Sequence, residues 1–189
     1  MRMPPIPRNQ IKGRRFGLLA DTHDNKVVWP ETLQRIRTAL GPVDGIIHCG
    51  DLCTRQALDD LAGIAPVWAV RSSVDPVESV PELVEGPRIL QVGDVRIGVV
   101  NSLSAEPIKA EVSGDSLRFP HVGGAEVSLR LFGGSVDVCV FGGSHRAAVA
   151  VSGGTLFVNP GSPSLAEKKA VGILIVEQGT VSVEIIAIP

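Results

Sequence analysis

A short apolar run near the start of the chain, Phe16 to Ala20, ends abruptly in polar residues. Runs of this length and composition are typical of strands that are covered on both faces of a sheet. An acid, a hydroxyl, an imidazole and a second acid follow it: Asp21, Thr22, His23 and Asp24. Polar groups just past the carboxyl end of such a strand lie where open α/β sheets build their ligand sites. Because one residue separates Asp21 from His23, both side chains can face one point and bind a divalent metal.

A second apolar run repeats this design further along the chain. Gly45 to Cys49 is typical of a buried strand, and Gly50 and Asp51 follow it directly. Glycine at this point permits a tight turn or a positive φ angle. Asp51 is therefore predicted to reach the same sheet edge as Asp21 and His23, where two acids and a histidine begin a metal site.

Composition limits the class of protein. The chain has 189 residues, 44% hydrophobic and 20% charged, which is ordinary for one globular domain. A net charge of −2 and the absence of tyrosine argue against nucleic-acid binding, which favours basic surfaces and stacking aromatic side chains. No apolar run approaches the ~18 residues of a membrane span. Three cysteines without a secretory signal favour reduced thiols and a cytoplasmic location.

The order of predicted elements indicates an α/β fold. Up to Val70 the pattern alternates strand, helix, strand, helix and strand, which implies parallel pairing with right-handed crossovers. The two helices of this part are predicted over residues 30–41 and 54–61, and a third helix over 125–132. Further along, three hairpins are predicted around turns at Gly93-Asp94, Ser152–Gly154 and Gln178-Gly179.

The first residues differ from the rest in composition. Residues 1–14 contain Pro4, Pro5 and Pro7 among scattered basic residues, and they are expected to form a flexible leader. Residues 15–189 are expected to form a single domain, since no linker composition interrupts them.

Polar residues follow six predicted strand ends. In chain order these are Asp21-Thr22-His23, Gly50-Asp51, Ser72-Ser73-Val74-Asp75, Asn101-Ser102, Gly142-Gly143-Ser144-His145 and Asn159-Pro160-Gly161-Ser162. This order resembles the D-x-H, G-D, G-N-x-D, H-G, G-H-x-H and N-P-G-S motifs of the calcineurin-like metallophosphoesterases. The resemblance is strongest to the small bacterial and archaeal phosphodiesterases related to the retromer subunit of the same fold. It covers nearly the whole chain, and the order of six motifs is far more specific than any single motif.

The resemblance implies a four-layer α/β/β/α sandwich of mixed sheets with metal ions at the sheet rim. The ligands of the first metal match the family: Asp21, His23, Asp51 and His145. The ligands that bind only the second metal in the family do not match. Ser73 stands in place of an asparagine, Asn101 in place of the H-G histidine, and Gly143 in place of the first histidine of G-H-x-H. The resemblance therefore implies one firm divalent ion, with manganese first and iron, zinc or nickel as alternatives, and a degenerate second site.

By this resemblance the chain is expected to be a metal-dependent phosphoesterase of low activity. Its substrate would be a phosphate-ester small molecule or a phosphodiester. Asp51, Asn101 and Ser73 are the expected catalytic residues, with Asn101 and Ser73 steadying the substrate or a loosely held second ion. The alternative is a catalytically retired member that binds a protein partner as a scaffold, as the retromer subunit does. The retained first ligand set favours the enzyme, and the loss of the second favours the scaffold.

A few further residues carry expectations of their own. His48 is predicted to be a hydrogen-bonded histidine in the core or behind the site. His121, on a polar loop, is the one candidate for a substitute ligand. Asp75 is expected to form an ion pair or cap a turn. Asn159 and Ser162 are expected to shape a tight loop near the site, with a phosphate contact as the alternative.

Overall fold

The computed structural model describes residues 6–24, 27–75, 83–105, 108–113 and 116–189. Over these residues the helices are α1 (Trp29–Leu40), α2 (Arg55–Ala62) and α3 (Gly124–Phe132). The strands are β1 (Arg8–Gln10), β2 (Arg15–Leu19), β3 (Gly45–His48), β4 (Val67–Arg71), β5 (Val84–Glu85), β6 (Arg88–Val92), β7 (Val95–Ser102), β8 (Glu111–Ser113), β9 (Ser116–Arg118), β10 (Val138–Gly142), β11 (Ala147–Ser152), β12 (Thr155–Pro160), β13 (Ala170–Glu177) and β14 (Thr180–Ala187). None of the helices in this described part of the chain has the length and apolar character needed to cross a bilayer.

Two mixed six-stranded sheets contain most of the strands. Sheet A has the order β1-β6-β7-β10-β12-β11, and sheet B has the order β14-β13-β2-β3-β4-β5. In sheet B, β2, β3 and β4 pair in parallel, as the alternating pattern of strands and helices predicts. The three predicted hairpins are confirmed as the antiparallel pairs β6–β7, β11–β12 and β13–β14.

Three apolar clusters separate the layers of the molecule. The first lies between the sheets and contains Phe16 and Leu174 from sheet B and Val138 from sheet A. The second packs α1 and α2 on the outer face of sheet B and contains the fully buried Ile36. The third packs α3 on the outer face of sheet A around Phe132. This order of helix, sheet, sheet and helix confirms the four-layer α/β/β/α sandwich.

Local signals in the sequence explain where the helices begin and end. Pro30 lies in the first turn of α1, where its missing N–H costs nothing. The Thr54 side chain precedes α2 and accepts a hydrogen bond from the Ala57 N–H at 3.1 Å. Gly133 ends α3 with a φ of +67°, a conformation that glycine adopts without strain.

Four short strands were not predicted: β1, β5, β8 and β9. Strands of two or three residues are too short to show a hydrophobic period, so the sequence carries no clear signal for them. β1 pairs in parallel with β6 at the edge of sheet A, and Ile11 beyond it is buried. This strand lies inside the stretch for which the sequence predicts a flexible leader, and its pairing places residues 8–10 in the sheet. Residues 1–5 of that stretch lie outside the described residues.

Candidate metal centre

Four candidate ligands meet at one rim of the sandwich. Asp21 and His23 follow β2 and Asp51 follows β3, all in sheet B, whereas His145 follows β10 in sheet A. One ligand atom from each residue lies within 4.8 Å of those from the other three. Parallel strand order predicts the convergence of Asp21, His23 and Asp51, because the carboxyl ends of parallel strands meet at one sheet edge. The resemblance to the family adds His145 to this prediction. The site draws its donors from both sheets.

The ring nitrogens at this rim point towards one another. His23 Nε2 lies 3.2 Å from His145 Nε2 and 3.5 Å from Asp51 Oδ2. Two imidazole nitrogens this close either share a proton or offer their lone pairs to one cation. Two carboxylates and two imidazoles suit manganese, iron, nickel or zinc, which lie between the hard and soft extremes. The donor set therefore fits a divalent ion.

The Asp21 carboxylate is held in place by main-chain donors. The Gly143 N–H lies 2.9 Å from both carboxylate oxygens, and the His145 N–H donates to Oδ2 at 3.2 Å. Burial raises the pKa of Asp21 to about 6, although the Gly143 N–H opposes that rise. Because a metal ligand must be deprotonated, a cation bound here competes with a proton at this carboxyl.

All four candidate ligands have left-handed backbone. Their φ angles are +53° at Asp21, +41° at His23, +61° at Asp51 and +56° at His145. A non-glycine residue in this region costs on the order of 1–2 kcal/mol. Only seven non-glycine residues in the described ranges have a positive φ, and these are four of them. Strain concentrated in this way is typical of functional sites, where the surrounding structure holds it in place.

Asp75 fixes the loop that carries Asp51. Its carboxylate accepts hydrogen bonds from the N–H groups of Asp51, Cys53 and Ser72, at 2.9, 2.8 and 2.9 Å, and from the Ser72 hydroxyl at 2.9 Å. Burial by itself raises the pKa of Asp75, but these donors outweigh it and the pKa is lowered. The structure thus shows the expected turn cap, and the same carboxylate also supports the β3 loop.

We expect Asp75→Asn to lower the free energy of unfolding by about 2–4 kcal/mol, because an NH₂ group replaces an acceptor oxygen among buried donors. The folded pKa lies below the unfolded value of ~3.9. The contribution of the carboxylate is therefore complete above that value and is lost as the pH falls through the folded pKa. Urea unfolding of both proteins between about pH 3 and 7 measures this difference. A difference that stays constant across the range would show that Asp75 acts through packing alone.

His48 supports the same loop from behind. It is fully buried, and burial lowers its pKa to about 4, so the ring is neutral. Its Nδ1 accepts from the Gly50 N–H at 3.1 Å, which leaves the proton on Nε2, 3.2 Å from the Thr22 hydroxyl. That hydroxyl in turn donates to the carbonyl of Asp51 at 3.2 Å. The structure therefore places His48 as a hydrogen-bonded histidine behind the site.

The loop after β12 fastens the Asp21 segment. The Ser162 hydroxyl donates to the Asp21 carbonyl at 2.7 Å, and the Ser164 hydroxyl donates to the Thr22 carbonyl at 2.6 Å. Asn159 accepts from the Gly161 N–H at 2.9 Å, and it is fully buried, like Ser162. These contacts match the tight-loop interpretation. The sequence analysis did not identify Ser164. Its only signal in the sequence is that it is a serine two residues after the N-P-G-S motif.

Of the three predicted catalytic residues, Asp51 belongs to the four-residue group. Asn101 is half-buried at the end of β7, and its Nδ2 donates to the Cys49 carbonyl at 2.9 Å. Ser73 is exposed in the turn after β4, and His121 is exposed on its loop. Among the described residues, His121 is not part of the four-residue group.

Cys53 is a neighbour of the site that the sequence did not single out. Its Sγ lies 3.6 Å from His23 Nδ1, the ring nitrogen on the side away from Asp51 and His145. Burial, together with nearby carboxylates, raises the pKa of Cys53 to about 11, so the thiol is protonated at neutral pH. A protonated thiol in this place orients the His23 ring.

Gly143 and Ser102 lie close together at the ends of neighbouring strands, β10 and β7. Gly143 has a φ of +80°, and a Cβ there would lie 2.9 Å from the Ser102 Cβ. The family motifs that the sequence resembles have the reverse arrangement, with glycine at the position of Ser102 and histidine at that of Gly143. With the backbone in this position, a side chain at position 143 would overlap the Ser102 side chain. Ser102 is not at a ligand position of the family motifs, so matching the ligands alone does not identify it.

We expect Gly143→Ala to lower the free energy of unfolding by about 2–4 kcal/mol, from backbone strain and overlap with Ser102. Ser102→Gly in the same chain should recover the part that is due to overlap. Gly133→Ala is the matched control, since φ is +67° and no atom lies within 4 Å of the added Cβ. Denaturant unfolding is measured for the wild type and the two alanine variants, each with and without Ser102→Gly. If Ser102→Gly relieves both alanine variants equally, Ser102 and position 143 do not compete for space.

Comparison with known proteins identifies the family. The family model of the calcineurin-like phosphoesterase superfamily domain matches residues 15–180. A probable metallophosphoesterase of Methanocaldococcus jannaschii is 31% identical over 154 residues, which is 79% of this chain and 68% of the relative. The chain therefore belongs to the calcineurin-like phosphoesterase superfamily.

Solved structures show the same fold. Vps29 of Chaetomium thermophilum superposes with a TM-score of 0.65 at 20% identity, covering 92% of this chain and 96% of that one. An archaeal phosphodiesterase superposes with a TM-score of 0.63 at 16% identity, covering 91% and 99%. The fold is thus similar both to a phosphodiesterase and to Vps29.

Proposed function

We propose that this protein is a metal-dependent phosphoesterase that binds one divalent ion firmly through Asp21, His23, Asp51 and His145. The observation that carries the proposal is the convergence of these four donors within 4.8 Å on left-handed backbone. When bound there, a divalent ion lowers the pKa of coordinated water and polarises a phosphoryl oxygen. Family membership supports phosphate esters as the substrate class.

The exposure of the donors supports access for a substrate. The side chains of His23 and Asp51 are 23% and 13% exposed, whereas Asp21 is fully buried. The rim is therefore closed on the Asp21 side and open on the side of His23 and Asp51. An ester that enters from this open side meets the donors directly.

Asn101 and Ser73 are proposed to steady the substrate. The Asn101 amide nitrogen is engaged by the Cys49 carbonyl, so its side-chain orientation is defined. Ser73 presents an exposed hydroxyl. Both groups are neutral and weak metal donors. The weak donors at positions 73 and 101, together with the crowding at Gly143 and Ser102, support a single firmly bound ion and slow hydrolysis of the ester.

The test is hydrolysis of 4-nitrophenyl phosphate and bis(4-nitrophenyl) phosphate by chelator-treated protein with added Mn²⁺. We expect slow turnover that requires the metal and is lost in Asp51→Asn, which removes one of the two carboxylates. Equal turnover in both proteins would point to a contaminating enzyme and contradict the proposal.

A catalytically retired scaffold is the second candidate. It is favoured by the incomplete second ligand set, and Vps29 shares the fold. In this role the chain would bind a protein partner and keep the first metal only as a structural ion. Firm metal binding without hydrolysis of either ester would favour this candidate over the enzyme.

A further inference from the structure

A cavity of about 780 Å³ opens directly beside the metal centre. Ser144 and His145 line it on the rim side, and its other walls are the start of β11, the loop after β12 and the end of β14. Ligand pockets of ~300–1,000 Å³ hold whole organic molecules. The cavity is therefore much larger than a single phosphoryl group requires.

The charge of this cavity is opposite to that of the whole chain. Arg146, Lys168 and Lys169 line it, with Glu167 as the only acid among its lining residues. The whole chain has a net charge of −2. A local positive surplus at a concave surface attracts an anion.

The cavity also presents apolar surface. Leu165 is 57% exposed on its wall, and Ile185 lines it from β14. The room between them results from small side chains, namely Ala147, Ala166, Ala170 and Ala187. Apolar surface next to cationic side chains suits a ligand that has an apolar body and a negative charge.

The loop that carries both lysines is anchored to the metal centre. The Ala170 N–H donates to the Ser162 carbonyl at 3.1 Å and closes the loop. Near its start, the Ser164 hydroxyl donates to the Thr22 carbonyl, between the two ligands that follow β2. The cationic wall is therefore held in a defined position relative to the metal centre.

We propose that this cavity holds the retained organic group of a phosphodiester substrate, and that this group has a ring-sized apolar body and a second negative charge. The inference rests on the proposed function, since it assigns the substrate class of the same site. Lys168 and Lys169 recognise the second charge, and Leu165 and Ile185 contact the apolar body.

Two esters with the same leaving group test this proposal. One is the 4-nitrophenyl ester of thymidine 5′-phosphate, and the other carries an additional 3′-phosphate. With Mn²⁺ present, the wild-type protein should favour the 3′-phosphorylated ester in kcat/KM by roughly tenfold, as expected for one well-placed cationic contact. Lys168→Gln combined with Lys169→Gln should bring this ratio close to one. Lys12→Gln combined with Arg14→Gln is the charge-matched control, because both residues are exposed and outside the cavity lining, and it should keep the ratio.

Failure of this inference can be told apart from failure of the proposed function. A ratio near one in the wild-type protein, or an equal fall in both double variants, overturns the cavity assignment and leaves the phosphoesterase activity standing. If neither ester is hydrolysed, the proposed function fails. Calorimetric titration with thymidine 3′,5′-bisphosphate then tests whether the cavity binds an anion. Tighter binding by wild type than by the Lys168/Lys169 variant then supports the cavity as an anion site, and equal binding overturns it.

Discussion

His23→Ala is expected to weaken Mn²⁺ binding by on the order of 100-fold or more, because it removes one of the four proposed ligands. Loss of a residue that merely supports a ligand costs ~10–100-fold. His23 Nε2 is central to the group, since it lies 3.2 Å from His145 Nε2 and 3.5 Å from Asp51 Oδ2. Isothermal titration calorimetry at neutral pH measures the change. Hydrolysis of any phosphate ester should fall with it.

His121→Ala is the matched control for this variant. It removes the same side chain from an exposed loop position outside the four-residue group, so the affinity for Mn²⁺ should stay within about twofold of wild type. Comparable losses in the two variants would show that His121 is a ligand after all. An unchanged affinity in His23→Ala would remove His23 from the metal centre.

The second large effect is expected from rebuilding the missing ligand set. Ser73→Asn, Asn101→His and Gly143→His restore the family residues, and Ser102→Gly clears the space that the new histidine needs. The quadruple variant should raise the metal content from one ion per chain towards two and increase phosphodiester hydrolysis by at least about tenfold. Two divalent ions ~4 Å apart repel by something on the order of 15 kcal/mol at an effective dielectric constant of ~20. A full ligand set is therefore required.

The triple variant without Ser102→Gly is the matched comparison. Its histidine at position 143 has to overlap Ser102, whose Cβ lies 2.9 Å from the added Cβ. It should unfold more readily and stay near one ion per chain. Single variants should also stay near one, since one new donor cannot offset the repulsion. If the quadruple variant folds, binds two ions and is no faster, the activity is limited by substrate positioning, and the scaffold becomes the better candidate.

Much of the fold was predictable because its main signals are local. Apolar runs that end in polar residues predicted the inner strands, and glycine-containing turns predicted the hairpins. The parallel strand order then placed Asp21, His23 and Asp51 at one edge. His145 belongs to the other sheet, and only the resemblance to a family connected it with the first three residues.

The remaining features depend on contacts between distant segments. Strands such as β1 and β5 are too short to have a periodic pattern. Three features join separate strand ends: the hydrogen bonds from the Asp51 and Cys53 N–H groups to Asp75, the approach of Cys53 to His23, and the overlap between Ser102 and a side chain at position 143. A single sequence gives the residues at these positions, but it has no signal for contacts between residues that are far apart along the chain.

Anomalous diffraction from crystals grown with Mn²⁺, together with a metal-to-protein ratio in solution, is the most direct measurement of the central claim. We expect one ion per chain, bound by Asp21, His23, Asp51 and His145, and no second ion of comparable occupancy beside Asn101. Two equally occupied ions at this rim, or a single ion bound by other residues, would contradict it.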